Sequence, residues 1–192
     1  MPKIVADDTV YNAVIEVLKT HGYSGATTKL IAELAGVNET TLYRKYGTKE
    51  QLVKNAVEYI IDRVDIDSIA YYTGDIHADL VRLFNGFFQS VEHTGGDIFM
   101  VLTAEMNRFP ELQSISLTPF KMISKVGLLL ARYQAEGILR QEHPFLAVLS
   151  FMAPMALSRR LSLISDGPSF PQLDADTYVD GYINGRLLKS ES

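Results

Sequence analysis

Residues 27–52 read TTKLIAELAGVNETTLYRKYGTKEQL, and the reading of this stretch decides the fold. Ile31, Leu34 and Ala35 recur at i, i+3 and i+4, the spacing that places apolar side chains on one helical face. Gly36 ends that helix, because glycine enters the left-handed conformation of a C-terminal cap without a Cβ penalty. Val37 is apolar and fits the space beneath the turn. Asn38 is a good N-cap, and a second helix follows through Thr41, Leu42, Tyr43 and Tyr46.

Ala32 stands four residues before Gly36 and permits close helix approach, while Leu42 supplies the apolar contact from the second helix. A small residue, a glycine turn and an apolar anchor at these offsets describe a helix-turn-helix, whose second helix fits the DNA major groove. Its exposed face carries Asn38, Glu39, Thr40, Arg44 and Lys45, all hydrogen-bonding residues.

The pieces Thr27-Thr28, Ile31-Ala32, Ala35-Gly36-Val37, Thr41-Leu42-Tyr43 and Tyr46-Gly47-Thr48-Lys49-Glu50 through Leu52 closely resemble the N-terminal DNA-binding domain of the TetR family of bacterial transcriptional regulators. The resemblance runs over roughly residues 7–55. Thr40 departs from a common glycine, Lys45 from a common histidine, and Gly47 from proline or a polar residue. Thr40 and Lys45 are thus placed to change which sequence is read.

The resemblance implies an all-α protein of about nine helices. A three-helix DNA-binding domain at 1–50 precedes a larger effector-binding and dimerisation domain at 51–192. It implies DNA contacts at Thr28, Lys29, Asn38, Glu39, Thr40, Thr41, Tyr43, Arg44, Lys45 and Lys49. In that reading Thr28 caps its helix and donates to a phosphate, and Lys49 anchors another. Residues 38–41 come nearest the base edges. It further implies a ligand cavity among the middle helices, to which Phe84, Phe88, Met100, Thr103, Met122 and Met152 are assigned. Phenylalanine and methionine linings suit apolar or aromatic small molecules. Asn85, Gln89 and Glu105 are weighed as polar pocket groups and read as exposed. A homodimer is expected through the last two helices, at Leu149, Met155, Tyr178, Gly181, Tyr182 and Gly185. Its twofold axis would set two recognition helices roughly 34 Å apart on a near-palindromic operator. The expected function is a repressor released by a small-molecule effector. The alternative is a helical ligand- or protein-binding dimer without DNA activity.

Bulk properties agree. The 192 residues are 47% hydrophobic and 21% charged, enough to bury a substantial core. The absence of cysteine removes disulfides and thiolate zinc sites. MPKIVADDTV lacks the apolar core of a signal peptide, and no apolar run is long enough for a membrane span, so a soluble cytoplasmic protein is expected. The net charge of -5 divides unevenly: residues 1–54 carry +1 and the remainder -6, with Lys29, Arg44, Lys45 and Lys49 grouped at the expected DNA face. The four histidines are scattered, and no catalytic or metal motif is present. No catalytic residue, metal or cofactor is expected.

Outward from the central stretch, Asp7 or Asp8 caps a first helix running to about Thr20, with Val10, Ala13, Val14, Val17 and Leu18 as its buried stripe and Gly22 as its stop. A fourth helix is expected from Lys49 to about Asp67, linking the two parts. Asp62, Asp65 and Asp67 read as a solvated helix end. Further helices are expected near 75–93, 98–108, 117–136, 144–164 and 175–188. Turns fall at His93–Asp97 and Ser165–Asp174, and Pro154 lies inside the eighth helix.

Overall fold

The computed structural model describes residues 6–94, 98–116, 120–162 and 173–186. The side chains of His93 and Met100, the turn at 95–97 and the loop at 165–172 lie outside the described residues. Among those described the chain is helical and forms no strand. Nine helices have eight or more residues: α1 (Asp7–Gly25), α2 (Thr28–Ala35), α3 (Glu39–Tyr46), α4 (Lys49–Asp62), α6 (Ile76–Thr94), α7 (Ile98–Glu105), α9 (Phe120–Ala135), α10 (Pro144–Ser162) and α11 (Ala175–Asn184). Two short ones, α5 (Ile66–Ile69) and α8 (Leu112–Ser116), complete the order.

Two compact units form. One comprises residues 1–64 and 90–119, the other residues 65–89 and 120–192. In the first, α1 packs on α2, α4 and α7, and α8 packs on α4 and α7. Val10, Val14, Val17 and Leu18 of α1 are buried, as are Leu52, Val53, Ala56, Val57 and Ile60 of α4. The α1 residues are the stripe expected from the sequence. α4 ends at Asp62, short of the expected Asp67, and Asp65 instead caps α5 by accepting from Ser68 N at 3.2 Å. Asp67 pairs with Lys125 at 2.6 Å.

Gly22 is the stop expected in α1, with φ 66° and ψ 179°, and a further turn runs to Gly25. A Cβ at Gly22 would lie 2.4 Å from Glu105 Oε1. Only glycine therefore fits both the backbone angle and the carboxylate beside it. Glu105 accepts the backbone N–H of Tyr23 at 2.8 Å and of Ser24 at 2.9 Å. It is not the exposed residue expected from the sequence; it satisfies backbone donors at the joint between α1 and α2.

In the second unit, Leu80, Leu83 and Phe84 of α6, Val126, Leu130 and Tyr133 of α9, Phe151 and Met155 of α10, and Val179 and Tyr182 of α11 share one core. Asp79 is fully buried there, accepting from Thr73 N (2.8 Å), Thr73 Oγ1 (2.6 Å), Tyr133 OH (2.5 Å) and Arg82 (2.8 Å). Burial pushes its carboxyl up, but these hydrogen bonds outweigh burial and hold it below the usual carboxylate range. α11 is tied to α10 through Tyr182, whose hydroxyl donates to the Ala147 carbonyl at 3.1 Å, and Tyr178, which donates to that of Phe151. α10 runs through Pro154 as one element.

Candidate nucleic-acid interface

The turn between α2 and α3 has three residues, and its chemistry is local. Gly36 takes φ 66°, ψ 34°, and its N–H reaches the Glu33 carbonyl, while Val37 N–H reaches that of Ala32 at 2.9 Å. This pair of bonds closes a helix with a left-handed glycine, as read from the sequence. Asn38 caps α3, accepting from Thr40 N at 2.9 Å. α2 is capped by Thr27, which accepts from Leu30 N at 3.2 Å, and not by Thr28 as expected. Thr28 is buried at the first helical position.

The buried face of α2 is Thr28, Ile31, Ala32 and Ala35. Leu34, assigned to that face from the sequence, is 54% exposed. The i, i+3, i+4, i+7 stripe starts three residues earlier than the apolar letters suggest, because a threonine begins it.

Thr28 is buried by α3. Its hydroxyl donates to Glu39 Oε1 at 2.5 Å and lies 3.2 Å from the Tyr43 hydroxyl. Glu39 is thus engaged in joining the two helices, while the Tyr43 ring remains 53% exposed. Leu42 and Tyr46 are the buried residues of α3. Asn38, Thr40, Arg44 and Lys45 are exposed and Thr41 half-buried.

The four cations assigned to this face divide in two. Lys29 and Arg44 are exposed and make no ion pair among the described residues. Lys45 pairs with Asp7 at 2.5 Å. Lys49 is half-buried, donates to the Tyr23 carbonyl and lies 4.0 Å from the centre of the Tyr23 ring. Burial lowers its pKa, against the opposing pull of Glu105 and Glu111. Asp7, read as a helix cap, reaches across to the end of α3 instead: the Tyr46 hydroxyl donates to it as well.

In the second unit, Phe84 is buried in the core, and Phe88, Met122 and Met152 pack against it. Thr103 belongs to the first unit and is exposed. A cavity of about 540 Å³ opens between α10 and α11, lined by Ser150, Pro154, Leu173, Thr177, Tyr178 and Gly181 among others. None of the four core residues just named lines it. Of the residues assigned to a dimer face, Leu149, Gly181 and Gly185 are exposed and Tyr178 is half-buried, whereas Met155 and Tyr182 are buried within their own unit.

A three-residue turn with a left-handed glycine, a capped second helix and a polar exposed face make residues 28–46 a helix-turn-helix. The family model described as bacterial regulatory proteins, tetR family, matches residues 11–56. An uncharacterized HTH-type transcriptional regulator of Bacillus subtilis, YvkB, is 31% identical over 85 residues, covering 44% of this chain and 44% of that protein. The fold is shared with the fatty acid degradation regulator FadR from Bacillus halodurans, at 20% identity and a TM-score of 0.73 over 96% of this chain and 95% of that one. It is also shared with the TetR family transcriptional regulator PfmR from Thermus thermophilus, at 14% identity and a TM-score of 0.65 over 91% and 94% of the two chains. Over residues 11–56 the chain is similar to the TetR family, and it spans less than half the length of the curated relative it matches.

Proposed function

We propose that the chain is a sequence-specific DNA-binding transcriptional regulator, a homodimeric repressor released from its operator by a small apolar or aromatic effector. The observation that carries the reading is the exposed polar face of α3 and α2: Thr40, Arg44 and Lys29 are exposed beside the capping Asn38, while Glu39 and Thr28 fix the helices that present them. Arginine matches guanine edges bidentately, and lysine supplies a point charge to phosphate.

Dimerisation is supported by α10. Leu146, Leu149 and Leu157 fall on one helical stripe and are 55%, 48% and 52% exposed, opposite the buried Ala147, Val148, Phe151 and Met155. A helix apolar on both faces requires cover on both. A twofold pairing through this stripe would deliver two copies of α3 to a near-palindrome.

An apolar effector is supported by the aromatic content of the second unit and by the name of the FadR relative, which ties that protein to fatty acid degradation. The working division is a head at 1–50 and an effector-binding and dimerisation part at 51–192, acting in the cytoplasm. Lys49 begins α4 and is bonded to Tyr23, in the turn of α1 that follows Gly22, so displacement of α4 would carry the head with it. The effector then acts by shifting populations between two head spacings.

Selection of bound sequences from a random duplex pool at two salt concentrations tests the core of the proposal. Recovery of a near-palindrome is expected. Recovery of nothing from folded, dimeric protein would leave the helical dimer without DNA activity, a reading favoured by the internal partners of Lys45 and Lys49.

A further inference from the structure

Asp7 occupies the first position of α1, where the N-cap Ala6 makes no side-chain hydrogen bond. An acid in a helix's first turn is favoured by the dipole and needs no partner. This one is nevertheless committed to another helix. Its Oδ1 lies 2.5 Å from Lys45 Nζ and accepts the Tyr46 hydroxyl, 39 residues away. Tyr46 is buried, with its ring 5.7 Å from that of Tyr11, so the carboxylate is held from beneath by a fixed group. Lys45 is the exposed member, at the end of α3, and its charge is already answered within the protein.

We infer that Asp7 is an internal competitor for the DNA backbone: it holds Lys45 in the free protein and lowers affinity for every duplex alike. This deepens, and rests on, the reading that α3 meets DNA. To an ammonium a carboxylate and a phosphate are the same kind of acceptor, so a phosphate arriving at α3 takes Lys45 only by replacing Asp7. The Tyr46 hydroxyl keeps Asp7 in place meanwhile, and the pair re-forms when DNA leaves. Asp8 is the contrast within the same turn. It carries the same charge, is exposed, and makes no ion pair among the described residues.

The test uses the full chain, a mixed-sequence duplex of roughly 30 base pairs and binding measured across a salt series. Asp7→Asn removes the charge while its amide oxygen still accepts from Tyr46. Affinity is expected to rise about two- to fivefold, the range of a half-exposed ion pair. The slope of log K against log salt is expected to steepen by up to about one. Asp8→Asn should change affinity less and leave the slope alone. Lys45→Met should weaken binding and flatten the slope, and Asp7→Asn added to it should give no gain. Equal affinity for Asp7→Asn and wild type overturns the inference, as does a gain that survives Lys45→Met or is matched by Asp8→Asn. Wild-type protein that binds no duplex at any salt overturns the underlying reading as well, a result distinct from all of these.

Discussion

α3 and α10 both turn to solvent side chains that lie outside their units' cores, and they do so with opposite chemistry. α3 buries only Leu42 and Tyr46 and turns threonine, tyrosine, arginine and lysine outward. α10 buries Ala147, Val148, Phe151 and Met155 and turns phenylalanine and leucine outward. A polar face loses little by staying in water and can exchange that water for a hydrated polyanion. An apolar face costs about 25 cal/mol for each Å² left wet, so its natural cover is another apolar face. The same feature, an exposed helix face, is thus proposed to meet nucleic acid in one region and a second copy of the chain in the other.

The largest effect is expected where the apolar face is broken. Leu149→Asp puts a charge into the α10 stripe without touching the core of its unit, and should weaken dimerisation at least a hundredfold, about 3 kcal/mol. Sedimentation over a concentration series would register this as monomer. A dimer that persisted unchanged would move the interface off α10 and undo the comparison.

At α3, Arg44→Ala is expected to cost about 1–3 kcal/mol on the selected operator and to relax preference at one base pair per half-site. Lys29→Ala should weaken all sequences more evenly and lower the salt slope by about one. Competition binding with operator variants separates the two. Uniform weakening by Arg44→Ala would make it a phosphate contact.

Much of the head was legible because its signals are local. The Gly36 turn and the Asn38 cap are each settled by residues within five positions, and the Gly22 stop is marked by the glycine itself. What was missed is nonlocal. Glu105 finds Tyr23 N across 82 positions, Tyr46 finds Asp7 across 39 and Lys49 finds the Tyr23 carbonyl across 26. No spacing rule reaches that far, so an acid read as a cap and another read as exposed were assigned the commonest role for their place. Leu34 was misplaced for a different reason, since three apolar letters at helical spacing outweighed the threonine that begins the true stripe. The extent of α10 is legible from Pro144 onward, but its faces are not. With apolar residues on both faces, periodicity cannot separate Met155, which fills the core, from Leu149, which does not.

Glu105 offers an intermediate test on the first unit. Glu105→Gln leaves one oxygen for two N–H donors, at Tyr23 and Ser24, and should destabilise by about 1 kcal/mol, read from the urea midpoint. Amide exchange at those two residues should quicken more than elsewhere in α1. An even rise across α1 would mean that the carboxylate holds no particular joint.

The smallest effect concerns acid. The Lys45 ammonium, aided by the Tyr46 hydroxyl and only partly opposed by burial, holds the Asp7 carboxyl below its ordinary value of 3.8. A carboxyl with a depressed folded-state pKa stabilises fully above the unfolded value and loses that contribution as pH falls through the folded one. Wild type and Asp7→Asn should therefore differ by a constant, small amount in urea midpoint from pH 7 down to about 5, and the difference should close below the ordinary carboxylate value. Because Asp7 stays ionised throughout the neutral range, its competition for Lys45 does not vary with pH there. Salt, and not acid, is then the variable to which DNA binding through this pair responds. A midpoint difference that stayed constant to pH 3 would show that Asp7 and Lys45 do not pair in solution, and would leave Lys45 as free as Lys29 and Arg44 to meet a phosphate.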